Sequence, residues 1–259
     1  MTGHRPRKRF GQHFLHDPAV LARIVAAIDP RPGEHIVEIG PGQGALTLPV
    51  LARCGKMTAI ELDRDLVDPL LARAASVGEL NIVRADALDV DYAALPGSGP
   101  LRLIGNLPYN ISTPLLFRVL ESAAALRDAH FMLQKEVVDR MVAAPGNKVY
   151  GRLTVMLAAA CSAERLFDIG PGAFRPPPRV MSSVVRLVPH AEPPFFVSDP
   201  ERFSRLVSQA FSMRRKTLRN ALKGFVSASE IENAGIDPRA RPETVSPAGF
   251  AALAAVADA

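Results

Sequence analysis

The sequence has no tryptophan, two cysteines and few aromatic residues, which make up 6% of the chain. Cys54 and Cys161 lie in apolar helical contexts, so we predict small core residues and neither a disulfide nor a metal site. No stretch has the uninterrupted apolar length that a membrane span requires, and the basic N-terminus lacks the apolar segment of a signal peptide. We therefore expect a cytoplasmic protein that binds no metal.

The charge of the chain is mild in total but uneven along its length. The net charge is +5, yet residues 1–16 contain four basic side chains and no acid. Residues 200–224 contain seven basic side chains against Glu201 alone. Basic clusters at both ends of a nearly balanced chain suggest contact with a polyanion, although a solvated basic face is the common explanation of such runs.

A glycine-rich loop follows the first predicted strand of the sheet. His35-Ile36-Val37-Glu38-Ile39 has the apolar pattern of a strand and leads into Gly40-Pro41-Gly42-Gln43-Gly44. Such glycines let the backbone turn sharply and approach a ligand closely. The spacing is not that of a dinucleotide-binding fingerprint, and the loop lacks the Gly-Lys-Ser/Thr ending of a phosphate-binding loop.

Acidic side chains follow the next two predicted strands. Glu61 ends the second strand, 21 residues after Gly40, where an acid can accept hydrogen bonds from ribose hydroxyls. Asp86 follows the third strand and is placed to accept from an adenine amino group. Either acid alone is more often simply solvated. Their positions at successive strand ends favour a shared site for a nucleoside.

Asn106-Leu107-Pro108-Tyr109 follows an apolar run, Leu101–Ile104, that predicts a buried strand. This places the motif at the carboxyl end of a strand, where ligands bind in open α/β sheets. The amide of Asn106 and the carbonyl of Leu107, held by the following proline, could grip an exocyclic amine, and Tyr109 offers a face for a base. The alternative is an ordinary strand-ending turn, because Asn and Pro both favour turns.

In combination, Glu38–Gly44, Asn106–Tyr109 and the segment Phe10-Gly11-Gln12-His13-Phe14-Leu15 resemble the ribosomal RNA adenine dimethyltransferases, and within that family the bacterial small-subunit (16S) enzymes. The resemblance covers nearly the whole chain. It implies a Rossmann-like class I methyltransferase fold with a mixed, mostly parallel seven-stranded sheet flanked by helices. It also implies a methyltransferase domain over residues 1–190, with a basic arm at 1–16, and a small all-helical RNA-binding domain over 191–259.

The resemblance assigns S-adenosylmethionine as cofactor, and roles to individual residues. The cofactor-binding set is Gln12, His13, Leu15, Gly40, Gly42, Glu61, Leu62, Asp86, Ala87 and Asn106. The set around the target base is Asn106, Leu107, Pro108, Tyr109 and Phe174, with Phe174 as a second aromatic opposite Tyr109. Many relatives have Asn at position 13, and we expect either a neutral His13 or a backbone contact there, since a positive charge beside a sulfonium is unfavourable.

The basic residues expected to contact RNA come from four segments of the chain. They are Arg7, Lys8, Arg9, Lys148, Arg175, Arg179, Arg214, Arg215, Lys216 and Arg219. Ser212-Met213-Arg214-Arg215-Lys216-Thr217-Leu218-Arg219 resembles a recurring segment of the family's C-terminal domain. We predict that Ser212 caps a helix over about 213–225, and that some of these arginines brace the domain junction instead of binding phosphate.

The implied activity is transfer of methyl groups to N6 of two adjacent adenosines near the 3′ end of 16S rRNA by a monomeric enzyme with a role in small-subunit biogenesis. Three alternatives remain at this stage. A 23S rRNA adenine methyltransferase conferring macrolide resistance shares the motifs. DNA adenine and protein glutamine methyltransferases usually have a second proline in place of Leu107. A mainly non-catalytic ribosome-assembly factor is the third.

Overall fold

The computed structural model describes residues 13–256. Its strands are β1 (Phe14–Leu15), β2 (His35–Ile39), β3 (Lys56–Ile60), β4 (Glu79–Val83), β5 (Leu101–Asn106), β6 (Leu126–Gln134), β7 (Cys161–Ile169), β8 (Phe174–Arg175) and β9 (Ser182–Pro189). Its α-helices are α1 (Pro18–Ile28), α2 (Thr47–Cys54), α3 (Arg64–Ala74), α4 (Ser112–Glu121), α5 (Lys135–Met141), α6 (Arg152–Ala160), α7 (Pro200–Ser212), α8 (Leu218–Ala221), α9 (Ala228–Asn233) and α10 (Pro247–Val256).

Seven strands form one sheet in the order β4-β3-β2-β5-β6-β9-β7. Strands β4, β3, β2, β5 and β6 run parallel, and β9 pairs antiparallel with β6. The predicted mixed, mostly parallel seven-stranded fold is confirmed. Strands β5 and β6 are buried over most of their length, and their apolar stretches at 103–104 and 131–133 suit strands covered on both faces.

The order of the strands reverses between β2 and β5. From β2 the chain steps outward to β3 and β4, then returns to place β5 on the other side of β2. Loops at the carboxyl ends of β2 and β5 therefore diverge and leave a crevice between them. The glycine loop and the Asn106 motif are the two loops at this point.

The chain divides into two compact units. The first runs to Val138 and resumes over Glu164–Pro189, whereas the second contains Asp139–Ala163 and the chain from His190 onward. The division expected at residue 190 thus placed residues 139–163 in the wrong unit. Tyr150 and Val155 belong to the same hydrophobic cluster as Phe203 and Phe250, and this long-range packing is not visible as a change in composition.

The structure confirms one local prediction and contradicts another. Cys54 and Cys161 are buried free thiols, as predicted. The helix expected over 213–225 is wrong. Helix α7 continues to Ser212, whose hydroxyl donates to the Gln209 carbonyl at 2.7 Å, and the short α8 is the helix that lies within 213–225.

In residues 13–256, no helix has the length and apolar character to cross a bilayer. Within the same residues, no group of three His, Cys, Asp or Glu side chains is arranged to hold a metal ion.

Candidate active site

A cavity of about 300 Å³ lies in the first unit at the crevice between the β2 and β5 loops. The described residues predicted to bind the cofactor all line it, as do Asn106, Leu107, Pro108 and Tyr109. The cofactor-site members are His13, Leu15, Gly40, Gly42, Glu61, Leu62, Asp86, Ala87 and Asn106. Gln12, Arg7, Lys8 and Arg9 lie outside the described residues.

The glycine loop after β2 forms one wall of this cavity. Gly40 has a φ of +67°, which favours glycine, and its N–H donates to the Ile60 carbonyl at 2.9 Å. Gly42 has a φ of +56°, and a Cβ atom there would lie 3.0 Å from the ring of Phe14. Phe14 therefore packs against the loop at Gly42, and a side chain at position 42 would meet both backbone strain and a tight contact.

Glu61 joins the end of β3 to the glycine loop. Its carboxylate is buried and accepts from the Gly42 N–H at 3.1 Å and from the Asp63 N–H at 2.8 Å. Burial raises the pKa of Glu61, while these two hydrogen bonds oppose the rise. A carboxylate has about four lone-pair sites, so acceptor capacity remains for a hydroxyl donor in the cavity.

Glu38 is a site residue that the sequence analysis did not assign. It is only 2% exposed, it lines the cavity, and its Oε2 atom has no hydrogen-bond partner within the described residues. Burial raises the pKa of Glu38 to about 8, the nearby Thr47 side chain opposes the rise, and the neighbouring Glu61 charge adds to it. The sequence does contain a signal for this role, because an acidic side chain inside an otherwise apolar strand is energetically unfavourable unless it has a partner.

The loop after β4 contributes a further acceptor. Asp86 Oδ1 accepts from the Leu88 N–H at 2.9 Å, which leaves its second oxygen available beside Ala87. Leu62, at the end of β3, is an exposed apolar side chain on the same cavity. An apolar surface next to a carboxylate suits a heteroaromatic ring that carries an amino group.

Asn106 is held in one orientation by the N-terminal segment. Its Nδ2 donates to the His13 carbonyl at 2.9 Å, so its Oδ1 is the atom left to accept. The Leu107 side chain is buried and its N–H donates to the Met132 carbonyl at 3.1 Å. The site thus offers two acceptors on consecutive residues, Asn106 Oδ1 and the Leu107 carbonyl.

Tyr109 is fixed beside these acceptors. Its hydroxyl is 2.6 Å from Ser182 Oγ, and its ring centroid is 5.5 Å from that of His13, with the planes tilted by 31°. Burial raises the pKa of the Tyr109 hydroxyl, and the Ser182 hydrogen bond opposes the rise. His13 Nδ1 donates to the Pro176 carbonyl at 2.8 Å, so the imidazole bridges Tyr109 and residue 176. The His13 carbonyl accepts from Asn106, and the contact expected between His13 and the cofactor stays a prediction.

Phe174 is not brought to the cavity. It is 2% exposed and belongs to the main hydrophobic cluster with Leu15 and Ile24. The reason is a pairing that sequence does not reveal: β1 and β8 form a two-stranded sheet in which Leu15 opposes Phe174 and Phe14 opposes Arg175. In this structure, the aromatic neighbour of Tyr109 is His13.

The basic residues predicted to contact RNA fall into two classes. Arg175, Arg179, Lys148, Arg215, Lys216 and Arg219 are exposed. Arg214 is partly buried, donates from Nη2 to the Lys148 carbonyl, and lies 3.8 Å from the Glu243 carboxylate. Arg214 therefore connects segments within the second unit, whereas the sequence analysis expected such bracing at the domain junction.

A family model described as "Ribosomal RNA adenine dimethylase" matches residues 3–258. A protein of Xanthomonas campestris named "Ribosomal RNA small subunit methyltransferase A" is 55% identical over 250 residues, which cover 96% of this chain and 95% of that protein. A protein of the same name from Acinetobacter baylyi is 54% identical over 252 residues, covering 97% and 92% of the two chains.

Solved structures show the same fold. A dimethyladenosine transferase from Plasmodium falciparum superimposes with a TM-score of 0.81 at 24% identity, over 93% of this chain and 96% of that one. The 23S rRNA methyltransferase ErmE superimposes with a TM-score of 0.72 at 26% identity, over 95% and 100%.

Proposed function

This chain belongs to the ribosomal RNA adenine dimethylase family, and from that premise we propose that it methylates N6 of two adjacent adenosines near the 3′ end of 16S rRNA. The methyl donor is S-adenosylmethionine and the product is N6,N6-dimethyladenosine. The name shared by the relatives at 54–55% identity supports the small subunit as substrate.

The observation that carries the proposal is the pair of acceptors beside an aromatic ring. Asn106 Oδ1 and the Leu107 carbonyl are free of hydrogen bonds within the described residues, and Tyr109 stands next to them. An unmethylated adenine amine has two N–H donors. Two acceptors match these two donors, and an aromatic face matches the base.

The residues of the cavity fit the proposed cofactor. Glu61 and Asp86 are spare acceptors for ribose hydroxyls and the adenine amino group, and Leu62 supplies apolar surface. The unpartnered Glu38 Oε2 fits a buried ammonium donor, because a buried acceptor without a partner is costly unless a ligand satisfies it. When bound, the cofactor supplies a methyl group on a positively charged sulfur.

The protein's own contribution is positioning. Accepting both N–H bonds at Asn106 Oδ1 and the Leu107 carbonyl favours a more tetrahedral nitrogen, whose lone pair is less delocalised into the ring. Tyr109 would hold the base by stacking, with its hydroxyl fixed on Ser182. Orientation of this kind is worth up to about 7–11 kcal/mol of a reaction barrier.

Each transfer would form one N–C bond at adenine N6, break the sulfur–methyl bond of the donor to leave a neutral thioether, and release one proton. Neither an amide oxygen nor a backbone carbonyl is basic enough to keep that proton, so it passes to water. The target base must leave its stack to reach the acceptors. Flipping costs a few kcal/mol and costs least in a loop, which favours a single-stranded adenine.

The test uses purified protein, S-adenosylmethionine and small subunits that lack the modification. We expect two adjacent N6,N6-dimethyladenosines near the 3′ end, mapped by mass spectrometry of digested RNA. Product on 23S RNA instead would favour the resistance-type activity named for the structural neighbour. Binding to subunits without any product would favour an assembly factor and contradict the proposal.

We also propose that the protein acts as a cytoplasmic monomer, since its substrate is the ribosomal small subunit. Sedimentation of the free protein at micromolar concentration tests whether it is a monomer. A stable dimer would contradict that part of the proposal and leave the chemistry unaffected.

A further inference from the structure

The segment from Arg175 to Met181, here called the 175–181 rim, is mostly exposed, and both of its ends contact residues that line the cavity or are bonded to them. Arg175, Pro176, Pro177, Arg179, Val180 and Met181 are all exposed, and Pro178 is buried. Seven large hydrophobic side chains are exposed within the described residues, and Val180 and Met181, at 42% and 41%, are the two that are adjacent in sequence. An adjacent apolar pair beside a site is typical of a contact surface.

Both ends of the rim are fixed to the residues around Tyr109. At one end, Arg175 pairs with Phe14, and the Pro176 carbonyl accepts from the His13 ring that packs near Tyr109. At the other end, Ser182 Oγ is 2.6 Å from the Tyr109 hydroxyl, and the Met181 carbonyl accepts from the Lys135 N–H at 2.9 Å. The rim is therefore held on the Tyr109 side of the cavity.

The charge of the rim indicates the chemistry of the ligand that it binds. Arg175 and Arg179 carry the only charges in the segment, and neither has an ion-pair partner in residues 13–256. Two guanidinium groups without an ion-pair partner, in the same short segment as an exposed apolar pair, match a phosphodiester backbone and a base. A flipped adenine leaves its neighbouring nucleotide one phosphate away, so that nucleotide must lie near the cavity mouth.

We propose that the 175–181 rim binds the nucleotide adjacent to the target adenine, with its base on Val180 and Met181 and its flanking phosphates at Arg175 and Arg179. This inference rests on the proposed function. It gives the adjacency of the two adenosines a structural reason, because one would occupy the rim while the other occupies the cavity.

The test combines Val180→Ser and Met181→Ser in one variant. The matched control is Val77→Ser, an equally exposed valine at 37% that lies in the turn between α3 and β4, away from the carboxyl edge. Substrates are small subunits reconstituted with 16S RNA in which the neighbouring adenosine is either intact or an abasic nucleotide. Readouts are kcat and KM for subunits, cofactor affinity by calorimetry, and thermal unfolding.

On intact subunits we expect the double variant to lose about tenfold in kcat/KM, mostly through KM, with cofactor affinity unchanged within about twofold. The abasic nucleotide should cost the unaltered protein a similar factor and cost the variant little more, because the two changes remove the same contact. If the two losses multiply, the rim meets another part of the subunit, such as a ribosomal protein, and the proposal is wrong. A variant equal to Val77→Ser would also overturn it.

The basic side chains are tested separately. Arg179→Glu should weaken subunit binding and reduce the salt slope by about one, whereas Arg53→Glu, an exposed arginine at the end of α2, should not. Equal effects of the two arginines would reject the phosphate contact. If the unaltered protein forms no dimethyladenosine on any RNA, the proposed function fails; if it does and the rim variants behave like their controls, only this inference fails.

Discussion

Buried ionisable side chains are fully paired at one edge of the sheet and only partly paired at the other. At the amino edge, Arg102 is 4% exposed and pairs through Nε and Nη2 with both oxygens of Asp128 at 3.0 Å. Its Nη1 is 2.6 Å from Glu34, whose other oxygen is 2.5 Å from Arg127. At the carboxyl edge, Glu38 is equally buried but keeps an oxygen without a partner.

The difference separates groups that hold the fold together from groups kept for a ligand. Removing one partner from a fully paired buried charge is strongly destabilising, because the others are left uncompensated. Glu38, whose raised pKa favours the protonated carboxyl in the folded protein, instead costs stability because one of its oxygens has no partner until a ligand binds. The predictions below test this contrast from the largest expected effect to the smallest.

The largest effect is expected from Arg102→Met. The change leaves the buried Asp128 without its cation and removes one of the two cations that pair with Glu34, so the free energy of unfolding should fall by roughly 3–5 kcal/mol. Urea denaturation followed by circular dichroism measures it. The control Arg53→Met removes an exposed guanidinium and should stay within about 0.5 kcal/mol. Similar losses for both arginines would show that the network does not carry this stability.

Asn106→Ala should affect activity and leave the fold intact. Losing the acceptor at Oδ1 and the bond to the His13 carbonyl should lower kcat by roughly 10²–10³, the loss typical of one oriented hydrogen-bonding group. Subunit binding and the unfolding midpoint should remain near those of the unaltered protein. Asn81→Ala, at an exposed position on β4, is the matched control. A variant that keeps more than a tenth of the rate would exclude Asn106 from the reaction centre.

Glu38→Gln should change stability and cofactor affinity in opposite directions. The folded pKa of about 8 exceeds the ordinary value of 4.5, so the folded state keeps a proton that the unfolded chain loses. Stability of the unaltered protein therefore falls as pH rises between these two values, and the variant should show a flatter profile. Cofactor should bind roughly 10–100-fold more weakly, as expected for a lost hydrogen bond to a charged group.

Denaturation from pH 5 to pH 8 and calorimetric titration with S-adenosylmethionine measure the two effects. Glu79→Gln, which removes an exposed carboxylate paired with Lys56, should alter neither by more than a small factor. Unchanged cofactor binding in Glu38→Gln would mean that the spare oxygen serves no ligand.

The smallest effects are expected in the second unit, where Arg214 and Arg215 repeat the contrast between paired and free charge. Arg215→Ala should weaken subunit binding about threefold to tenfold and lower the salt slope by about one, with stability unchanged. Arg214→Ala should instead cost about 0.5–1.5 kcal/mol of stability, because it loses the Lys148 carbonyl and Glu243. Loss of cofactor affinity in either variant would argue against an RNA role for this segment.

Sequence was sufficient for the parts of the site that are set by strand ends. Gly40, Glu61, Asp86 and Asn106 each follow a strand whose apolar pattern is plain, and parallel strands bring their carboxyl ends to one edge. The mixed, mostly parallel seven-stranded sheet followed from the family resemblance, whereas the order of its strands was seen only in the structure. These features depend on short stretches of sequence and a common topology.

The parts that sequence missed depend on contacts between distant residues. Phe174 is buried because it opposes Leu15 in a pairing 159 positions away, which no local pattern shows. Residues 139–163 join the second unit through packing against α7 and α10. The role of Glu38 was not predicted because its strand is otherwise apolar, and only the structure shows that its carboxylate lines the cavity.

The bond from Asn106 to the His13 carbonyl has a consequence for which residues position 106 tolerates. Asparagine and aspartate have nearly the same shape, and either would offer an oxygen to an amine. Here the second terminal atom faces a carbonyl oxygen at 2.9 Å, so an aspartate would set two lone pairs against each other. The His13 carbonyl, 93 positions earlier in the chain, thus favours asparagine over the nearly isosteric aspartate. Asn106→Asp should therefore lower the stability of the free protein, before any RNA is bound.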